Sequence, residues 1–382
     1  MTLDLLRCAL PQDENPDLAT MARRPFLRNA ALEAFAHGRA NIRGAGKALG
    51  RWFRQARRLG SRDRPIVMEA VYGMIRHEHI FVRAGARSPE ELHEYWARMI
   101  EGDRFDSIVP STPAEDYATA LSLDYFVAKE WLTVLGEEEA VALARSLGQR
   151  APMTIRANRQ RTDRETLAVE LAEQGIPSRP TDLAADGLVL DKRVALGNLE
   201  SYRTGLFEVQ DESSQLFVEA IPNLQPGTRV LDLCAGAGGK SLAFASLGMR
   251  VSATDIRPKA LRELERRAGR AGLVIDIEEP SPAPVVVVDA PCSGTGRLRR
   301  EPALRWGLEP LAMVELQQEL IEEAAAFVMP GGILAYATCS LLHEENAHDS
   351  PNEGDWTQIQ RRLLWPHRDG CDGFGWVIWR RD

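Results

Sequence analysis

The stretch Arg229-Val-Leu-Asp-Leu-Cys-Ala-Gly-Ala-Gly-Gly-Lys-Ser241 determines the fold that we predict for the second half of this chain. Its apolar beginning, 229–233, predicts a buried strand, and the glycine-rich loop leads into a helix predicted over 240–247. The same order repeats downstream, with strands predicted at 250–254, 285–288, 332–337 and 376–379 and helices at 258–271 and 312–329. Continuous apolar strands that alternate with helices indicate a parallel sheet covered on both faces, so we predict an α/β, Rossmann-like domain.

The glycine-rich loop has the spacing of neither common phosphate-binding motif. A P-loop requires a glycine six positions before its lysine, where Cys234 stands, and a dinucleotide fingerprint requires its third glycine at Ser241. Asp255 ends the next predicted strand, where a carboxylate can accept hydrogen bonds from two ribose hydroxyls. This combination favours S-adenosylmethionine as the ligand. A glycine-rich turn that binds no ligand is the alternative.

Two cysteines follow later strands of the same predicted sheet. The strand 285–288 leads into Asp289-Ala-Pro-Cys-Ser-Gly-Thr-Gly296, and the strand 332–337 leads into Thr338-Cys-Ser340. Because the carboxyl ends of parallel strands share one edge, we expect Cys292, Cys339 and Asp289 to lie near the glycine-rich loop. A single cysteine at a strand end is commonly a small buried hydrophobic residue, whereas two beside a carboxylate favour chemistry.

Thiol chemistry suits one methyl-transfer reaction in particular. Cytosine C5 is a weak nucleophile, and a thiolate that adds to C6 pushes electron density onto C5, which can then attack a sulfonium methyl group. A carboxyl group near N3 stabilises the charge that develops on the ring, and a base must later remove the C5 proton. These considerations leave open which of Cys292 and Cys339 is the nucleophile.

The first part of the chain is predicted to be helical and is strongly basic. Apolar residues recur at helical spacing over 25–145. The segment 21–87 contains 15 Lys and Arg against 4 Asp and Glu, so a local charge of +11 is joined to a remainder of −19 in a chain of net charge −8. This asymmetry predicts a phosphate-backbone partner for one part only, and a solvated helical surface is the alternative. The candidate RNA-binding residues are Arg51, Arg54, Arg57, Arg58, Arg62 and Arg64.

The composition bears on whether the chain belongs to a membrane, secreted or metal-binding class of protein. No apolar run approaches the roughly 20 residues that span a bilayer, and the N-terminal stretch lacks the basic and apolar regions of a secretory signal. The five cysteines are scattered, without a disulfide pattern or zinc-ligand spacing. We therefore expect a cytoplasmic protein with no membrane, no metal and no obligate protein partner.

Several motifs, in order along the chain, resemble those of the RsmB/NOP/Sun family of RNA cytosine-C5 methyltransferases. Besides the glycine-rich loop and the two cysteine motifs, the resemblance covers Phe207–Gln215, Arg299–Pro302 with Trp306, Glu344-Glu-Asn346 and Asp372-Gly-Phe374. In the helical part it covers Leu59–Arg64 and Val71–Arg76. The resemblance implies three domains: a helical, NusB-like RNA-binding domain (1–147), a small α+β, RNA-recognition-like module (148–217) and a Rossmann-like, class I methyltransferase domain (218–382).

The resemblance also assigns roles. It implies that Cys339 is the nucleophile, that Cys292 assists release, that Asp289 contacts the base and that Lys240 lies near cofactor and base. It implies S-adenosylmethionine contacts at Cys234, Ala235, Gly236, Ala237, Gly238, Gly239, Lys240, Asp255, Ile256, Asp276 and Asp289. Relatives place an adenine-binding carboxylate after the third strand, where this chain is shortened, so Asp276 is ranked before Glu278 and Glu279.

The implied function is 5-methylcytosine formation in structured RNA, with small-subunit (16S) ribosomal RNA as the expected substrate. A transfer-RNA cytosine methyltransferase is the first alternative, because the same motifs serve both substrates. An RNA-binding ribosome-assembly factor whose catalytic site has lapsed is the second, and the presence of Lys240, Asp289, Cys292 and Cys339 argues against it.

Overall fold

The computed structural model describes residues 5–192 and 194–382. The chain divides into two compact units. The helical unit contains 1–150 with the segments 297–310 and 366–368, and the sheet unit contains 151–296, 311–365 and 369–382. The domain division predicted from sequence is contiguous, whereas here two short segments of the second half belong to the helical unit.

The helical unit is built from eight helices among the described residues. They are α1 (Pro16–Ala22), α2 (Pro25–Arg39), α3 (Ala45–Gln55), α4 (Asp63–Arg76), α5 (Glu78–Ala84), α6 (Pro89–Ile100), α7 (Pro113–Leu121) and α8 (Tyr125–Gly148), the last interrupted at Gly136. Local sequence explains where they begin. Thr112 and Glu115 form a reciprocal capping box at the start of α7, and Ser88 accepts a hydrogen bond from the Glu91 amide at the start of α6.

The core of the helical unit includes a segment from the second half of the chain. Arg305 is 8% exposed and donates to the carbonyls of Leu121 (2.8 Å) and Leu298 (2.9 Å). The Trp306 ring lies edge-on to Phe35 at 5.1 Å, and its indole N–H donates to Glu78 at 2.6 Å. The stretch after the Cys292 motif, which the sequence assigns to the methyltransferase domain, therefore packs among these helices.

The sheet unit begins with a small antiparallel module, as the α+β prediction requires. Its strands are β1 (Met153–Ala157), β2 (Ser178–Pro180), β3 (Gly187–Leu190) and β4 (Phe207–Val209), in the order β2-β3-β1-β4. Its helices are α9 (Arg164–Glu173) and α10 (Glu200–Arg203), and Leu167, Ile155 and Leu188 pack in its core with no exposed surface. The helix α11 (Glu212–Ala220) then connects this module to a larger sheet.

The larger sheet has seven strands and carries the predicted site. They are β5 (Arg229–Asp232), β6 (Arg250–Ala253), β7 (Ile275–Ile277), β8 (Ala283–Asp289), β9 (Val328–Thr338), β10 (Trp356–Leu364) and β11 (Phe374–Arg381). The order is β10-β11-β9-β8-β5-β6-β7, with β5 to β9 parallel and the last two strands antiparallel to their neighbours. Helices α12 (Gly239–Ser246), α13 (Pro258–Ala271) and α14 (Val314–Ala325) connect the parallel strands, and α15 (Pro366–Asp369) lies between β10 and β11.

The predicted α/β order is confirmed, with corrections at particular elements. The helix predicted over 312–329 ends at Ala325, because Val328 already pairs with Ala283 in the sheet. The strand β10 was not predicted. Its side chains are mostly exposed at the edge of the sheet, so its sequence lacks an apolar pattern. Among the described residues, no helix combines the length and the apolar composition needed to cross a bilayer.

Candidate functional site

The predicted site residues meet where three neighbouring parallel strands end. β5 lies beside β8, and β8 lies beside β9. After β5 comes the glycine-rich loop, β8 ends at Asp289 three residues before Cys292, and β9 ends one residue before Cys339. We call Lys240, Asp289, Cys292 and Cys339 the thiol edge.

The glycine-rich loop is shaped by two left-handed residues. Gly236 has a φ of +56° and Gly238 a φ of +83°. A Cβ on Gly238 would lie 2.0 Å from Leu264 Cδ1, so α13 packs against the backbone of the loop. The first turn of α12 has no side-chain cap, so its backbone N–H groups have no capping acceptor, while the Gly238 amide before it donates to the Ala235 carbonyl at 2.8 Å.

A buried carboxyl group lies beneath this loop. Asp232 is 1% exposed, and its Oδ2 accepts a hydrogen bond from Ser241 Oγ at 2.6 Å. Its Oδ1 has no hydrogen-bond partner within the described ranges. Burial raises the pKa of Asp232 to about 7, against the smaller opposing effect of the Ser241 hydrogen bond. An unpaired buried oxygen next to an open glycine turn fits a site that holds a polar ligand.

Asp255, the predicted ribose-binding residue, is fully hydrogen-bonded by the protein itself. Its Oδ2 accepts from the Gly236 amide (2.8 Å) and Arg257 Nη2 (2.9 Å), and its Oδ1 accepts from the Arg257 amide and Nε (2.8 Å each). Burial raises the pKa of Asp255, but the Arg257 and Gly236 hydrogen bonds outweigh it and hold the pKa below its usual range. Ribose hydroxyls would therefore have to displace the guanidinium of Arg257, which is 60% exposed.

The remaining predicted cofactor residues differ in their surroundings. Ile256 is 98% exposed beside Asp255. Asp276 lies within β7, opposite Ser252, and is exposed, whereas Glu278 follows the last residue of that strand and accepts from Ser252 Oγ at 2.8 Å. Cys234 is largely enclosed, and burial raises its pKa to about 12, so its thiol stays protonated.

The thiol edge brings all four predicted catalytic side chains together in two pairs. Lys240 Nζ lies 2.6 Å from Asp289 Oδ2 and 4.8 Å from the centre of the Phe374 ring. Cys292 Sγ lies 3.3 Å from Cys339 Sγ. The hydrogen bond to Cys339, burial and the charge of Glu345 raise the pKa of Cys292 well above that of a free thiol. The two sulfurs are within hydrogen-bonding distance, and either thiol can be the donor.

Sequence reasoning missed the residues that hold the two cysteines in place. Glu345 and Asn346 are buried and hydrogen-bonded to the loops on either side of the thiols. Their only sequence signal is membership of the Glu344-Glu-Asn346 motif, which by itself suggested no role. Within the described ranges, no group of three or more His, Cys, Asp or Glu side chains could hold a metal ion.

We call the six arginines of 51–64 the basic segment. Some of these side chains are exposed to solvent, and others bind groups of the protein itself. Arg51, Arg54, Arg57 and Arg62 are exposed. Arg58 pairs with Glu33, and Arg64 donates to carbonyls at the end of α3, those of Phe53, Ala56 (3.2 Å) and Leu59 (3.4 Å). Of the aromatic residues between them, Phe53 is 5% exposed and Trp52 packs against the same core.

A basic cavity of about 470 Å³ adjoins the basic segment within the helical unit. Its walls include the cations Arg39, Arg43, Lys47 and Arg51. Of these four, only Arg51 is among the candidate RNA-binding residues predicted from the sequence. The spacing of Arg43, Lys47 and Arg51 at four-residue intervals was the available signal for one shared helical face.

Comparisons with known proteins agree with this architecture. The family model "16S rRNA methyltransferase RsmB/F" matches residues 220–350. A second model, described as an RsmF/B-like ferredoxin-like domain, matches residues 125–197, which include β1, α9 and β3. The resemblance of the first helices to NusB-like domains stays a prediction.

Three curated relatives are named as ribosomal RNA small subunit methyltransferase B, the first of them as a probable one. The "Probable ribosomal RNA small subunit methyltransferase B" of Bacillus subtilis is 30% identical over 309 residues, which cover 71% of this chain and 68% of that protein. The ribosomal RNA small subunit methyltransferase B of Erwinia tasmaniensis is 33% identical, covering 59% of each chain. That of Pseudomonas putida is 31% identical, covering 62% of each. The chain thus spans about three fifths to two thirds of the length of these relatives.

Solved structures show the same fold at lower identity. The structure titled "Crystal Structure of PH0851" has a TM-score of 0.73 and 21% identity, covering 92% of this chain and 98% of that chain. NSun6 from Pyrococcus horikoshii, titled as a structure with SFG, has a TM-score of 0.56 and 18% identity, covering 66% and 97%. From the match to the Bacillus relative and to both family models, the chain belongs to the 16S rRNA methyltransferase RsmB/F family.

Proposed function

We propose that this chain methylates C5 of a cytosine in small-subunit ribosomal RNA, with S-adenosylmethionine as methyl donor and Cys339 as nucleophile. One observation carries the proposal: the Cys292 and Cys339 sulfurs lie 3.3 Å apart at the ends of adjacent parallel strands, beside the Lys240–Asp289 pair. The named curated relatives are ribosomal RNA small subunit methyltransferases, which supports this class of substrate.

The glycine-rich loop, with the unpaired Asp232 oxygen beneath it and Asp255 beside it, is the proposed cofactor site. S-adenosylmethionine, when bound, supplies an electrophilic methyl group. For its adenine, the position of Glu278 directly after β7 fits an acid at a strand end better than that of Asp276 within the strand.

In the proposed attack, the Cys339 thiolate adds to C6 of the cytosine. A new S–C6 bond forms, and the electron pair of the C5=C6 double bond moves to C5. The raised pKa of Cys292 supports this assignment, because a protonated Cys292 can donate a hydrogen bond to a Cys339 thiolate. The Lys240–Asp289 pair stabilises the charge that develops on the ring.

In the proposed release, C5 carries the new methyl group and loses its proton to a base supplied by solvent. The electrons of the C5–H bond restore the C5=C6 double bond, and the S–C6 bond breaks. The Cys292 thiol, 3.3 Å from Cys339 Sγ, donates a hydrogen bond to the departing thiolate. Without Cys292, this last step is expected to slow.

The test uses the purified chain, labelled S-adenosylmethionine and unmethylated 16S ribosomal RNA. Wild type should label cytosine, Cys339→Ala should abolish transfer, and Cys292→Ala should accumulate a covalent protein–RNA adduct. No transfer to any RNA would contradict the enzymatic proposal, and an active Cys339→Ala variant would overturn the choice of nucleophile. Preferential labelling of transfer RNA would show that transfer RNA, and not ribosomal RNA, is the substrate.

A further inference from the structure

Two consecutive buried residues contact the loops that carry the two thiols. Glu345 is 0% exposed and Asn346 is 9% exposed, and both lie in the segment between β9 and β10. The roles proposed so far for the thiol edge do not use either side chain. Their side chains bind different loops, and the two loops are joined to each other by the Ser293 Oγ–Ser340 Oγ hydrogen bond at 3.1 Å.

Glu345 binds the loop that carries Cys292. Its Oε1 accepts a hydrogen bond from the Ser293 amide at 2.9 Å, and its Oε2 accepts one from Ser293 Oγ at 2.5 Å. Gln317 Nε2 donates both to Glu345 Oε1 (3.1 Å) and to the carbonyl of Pro291 (2.8 Å). The residues immediately before and after Cys292 are therefore held by one carboxyl group and its amide partner.

Asn346 binds the turn that carries Cys339. Its Oδ1 accepts from Thr338 Oγ1 at 2.9 Å, and its Nδ2 donates to the carbonyls of Ser340 (3.1 Å) and Leu342 (2.8 Å). The neighbouring strand β11 leaves space for this amide, since a Cβ on Gly375 would lie 2.0 Å from Asn346 Oδ1. The residues on both sides of Cys339 are thus fixed by one side chain.

The carboxyl group of Glu345 is costly to bury. Among the described residues it forms no ion pair with a Lys, Arg or His, and hydrogen bonds alone satisfy it. A glutamine would fill the same space without the desolvation cost of a charge. The Nε2 of that glutamine could not accept a hydrogen bond, whereas both oxygens of the carboxylate accept one from Ser293.

We propose that Glu345 and Asn346 are positioning residues that set the two thiols against each other, Glu345 through the Cys292 loop and Asn346 through the Cys339 turn. The inference rests on the proposed function, because the two thiols need distinct roles. Glu345 has an electrostatic effect as well, since its charge helps keep Cys292 protonated. The titratable groups around Cys292 are Cys339, Glu345 and Tyr336, with Asp289 at the end of β8 paired to Lys240.

The first test needs neither cofactor nor RNA. Alkylation of each cysteine by iodoacetamide is followed at pH 8 by peptide mass spectrometry, with Cys292 read in a Cys339→Ala background and Cys339 in a Cys292→Ala background. Glu345→Gln should speed alkylation of Cys292 about tenfold, because it removes a charge that favours the protonated thiol, and should change the alkylation rate of Cys339 less than about twofold. Asn346→Ala should change the alkylation rate of Cys339 more than about threefold and leave the alkylation rate of Cys292 within about twofold of its starting value.

The matched control is Glu344→Gln, which removes an exposed carboxyl group one residue earlier and should change neither rate. Equal effects of Glu345→Gln on both thiols, or an effect no larger than that of Glu344→Gln, would overturn the inference. If Glu345→Gln does not fold, Ser293→Ala removes the 2.5 Å hydrogen bond to Glu345, together with the hydroxyl contacts to Ser340 (3.1 Å) and Thr295 (3.4 Å), and should change the alkylation rate of Cys292 in the same direction. An unchanged Cys292 in Ser293→Ala would then count against the inference.

The second test reads the two roles in the reaction. With RNA and cofactor, Glu345→Gln should accumulate the Cys339–RNA adduct on a denaturing gel, because release depends on a correctly placed Cys292. Asn346→Ala, combined with Cys292→Ala, should form less than a tenth of the adduct that Cys292→Ala forms alone. If wild type transfers no methyl group, the proposed function fails, and the alkylation rates still decide the positioning of the two thiols.

Discussion

At the thiol edge, Lys240 is 8% exposed and pairs with Asp289, and the cysteines lie in loops whose flanking residues are hydrogen-bonded by Glu345 and Asn346. In the basic segment, five of the six arginines are exposed, and Arg58 and Arg64 are engaged within the helical unit. The first region fixes the position of each group. The second displays charge with few constraints on position.

This difference in how firmly the side chains are held predicts how each region responds to substitution. Chemistry at a buried edge depends on individual distances, so a single isosteric change should cause a steep loss of rate. Attraction of a phosphate backbone depends on the number of charges, so each arginine should contribute a graded share of affinity and salt dependence. A graded loss of rate at the thiol edge, or an all-or-none loss of affinity in the basic segment, would remove the distinction between the two regions.

The largest expected effect is at the thiol edge. Asp289→Asn should lower methyl transfer at least about 100-fold, because it removes the carboxyl group that we propose contacts the cytosine and leaves the buried Lys240 without its ion-pair partner. RNA affinity should change less than about twofold. Single-turnover methyl transfer and filter binding measure the two quantities. Asp349→Asn, at an exposed carboxyl group, is the control and should leave both unchanged.

An Asp289→Asn variant that loses RNA affinity as strongly as rate would show that this carboxyl group helps hold the RNA rather than the reacting ring. The thiol edge would then share the binding role that we assign to the basic segment.

The next effect is in the basic segment. Combined Arg54→Ala, Arg57→Ala and Arg58→Ala substitution should weaken RNA binding about tenfold near physiological salt and lower the salt-dependence slope by about 2. Single-turnover rate at saturating RNA should stay within about twofold. Filter binding across a salt series measures the slope. Since Arg58 already pairs with Glu33, most of the loss should come from the other two arginines.

Arg64→Ala is the internal control for this segment. Its guanidinium donates to carbonyls at the end of α3, so its loss should reduce the free energy of unfolding by about 1–2 kcal/mol and leave the salt slope unchanged. Unaltered RNA affinity in the triple variant would make the basic segment a solvated surface. The cavity formed by Arg39, Arg43, Lys47 and Arg51 would then be the next candidate.

The fold was predictable wherever local signals agree with tertiary burial. The helix α13 was predicted with its exact bounds, because Pro258 stands at its first position and Gly272, with a φ of +67°, ends it. The strand β10 had no such signal. It is an edge strand with mostly exposed side chains, and its partner β11 supplies the pairing that makes it a strand.

The site was predictable to the same extent. The end of each strand can be predicted from sequence, because an apolar run stops there. The parallel topology then places Asp289, Cys292 and Cys339 together. The contacts that hold them join residues far apart in the chain, such as Ser293 and Glu345, and periodicity carries no information about them. The engagement of Arg64 with backbone carbonyls was hidden for the same reason, since a charge count treats all arginines alike.

The smallest predicted effect concerns Arg257, an exposed cation that lies outside the basic segment and is committed to the buried Asp255. If ribose hydroxyls bind Asp255, they compete with this guanidinium for both carboxylate oxygens. Arg257→Ala should therefore raise the affinity for S-adenosylhomocysteine about two- to fivefold, the range expected from a half-exposed ion pair. Isothermal titration measures it, with Asp255→Ala as the opposing variant that should lose binding more than about tenfold. Weaker binding by Arg257→Ala would mean that the guanidinium contacts the ligand directly rather than competing with it for Asp255.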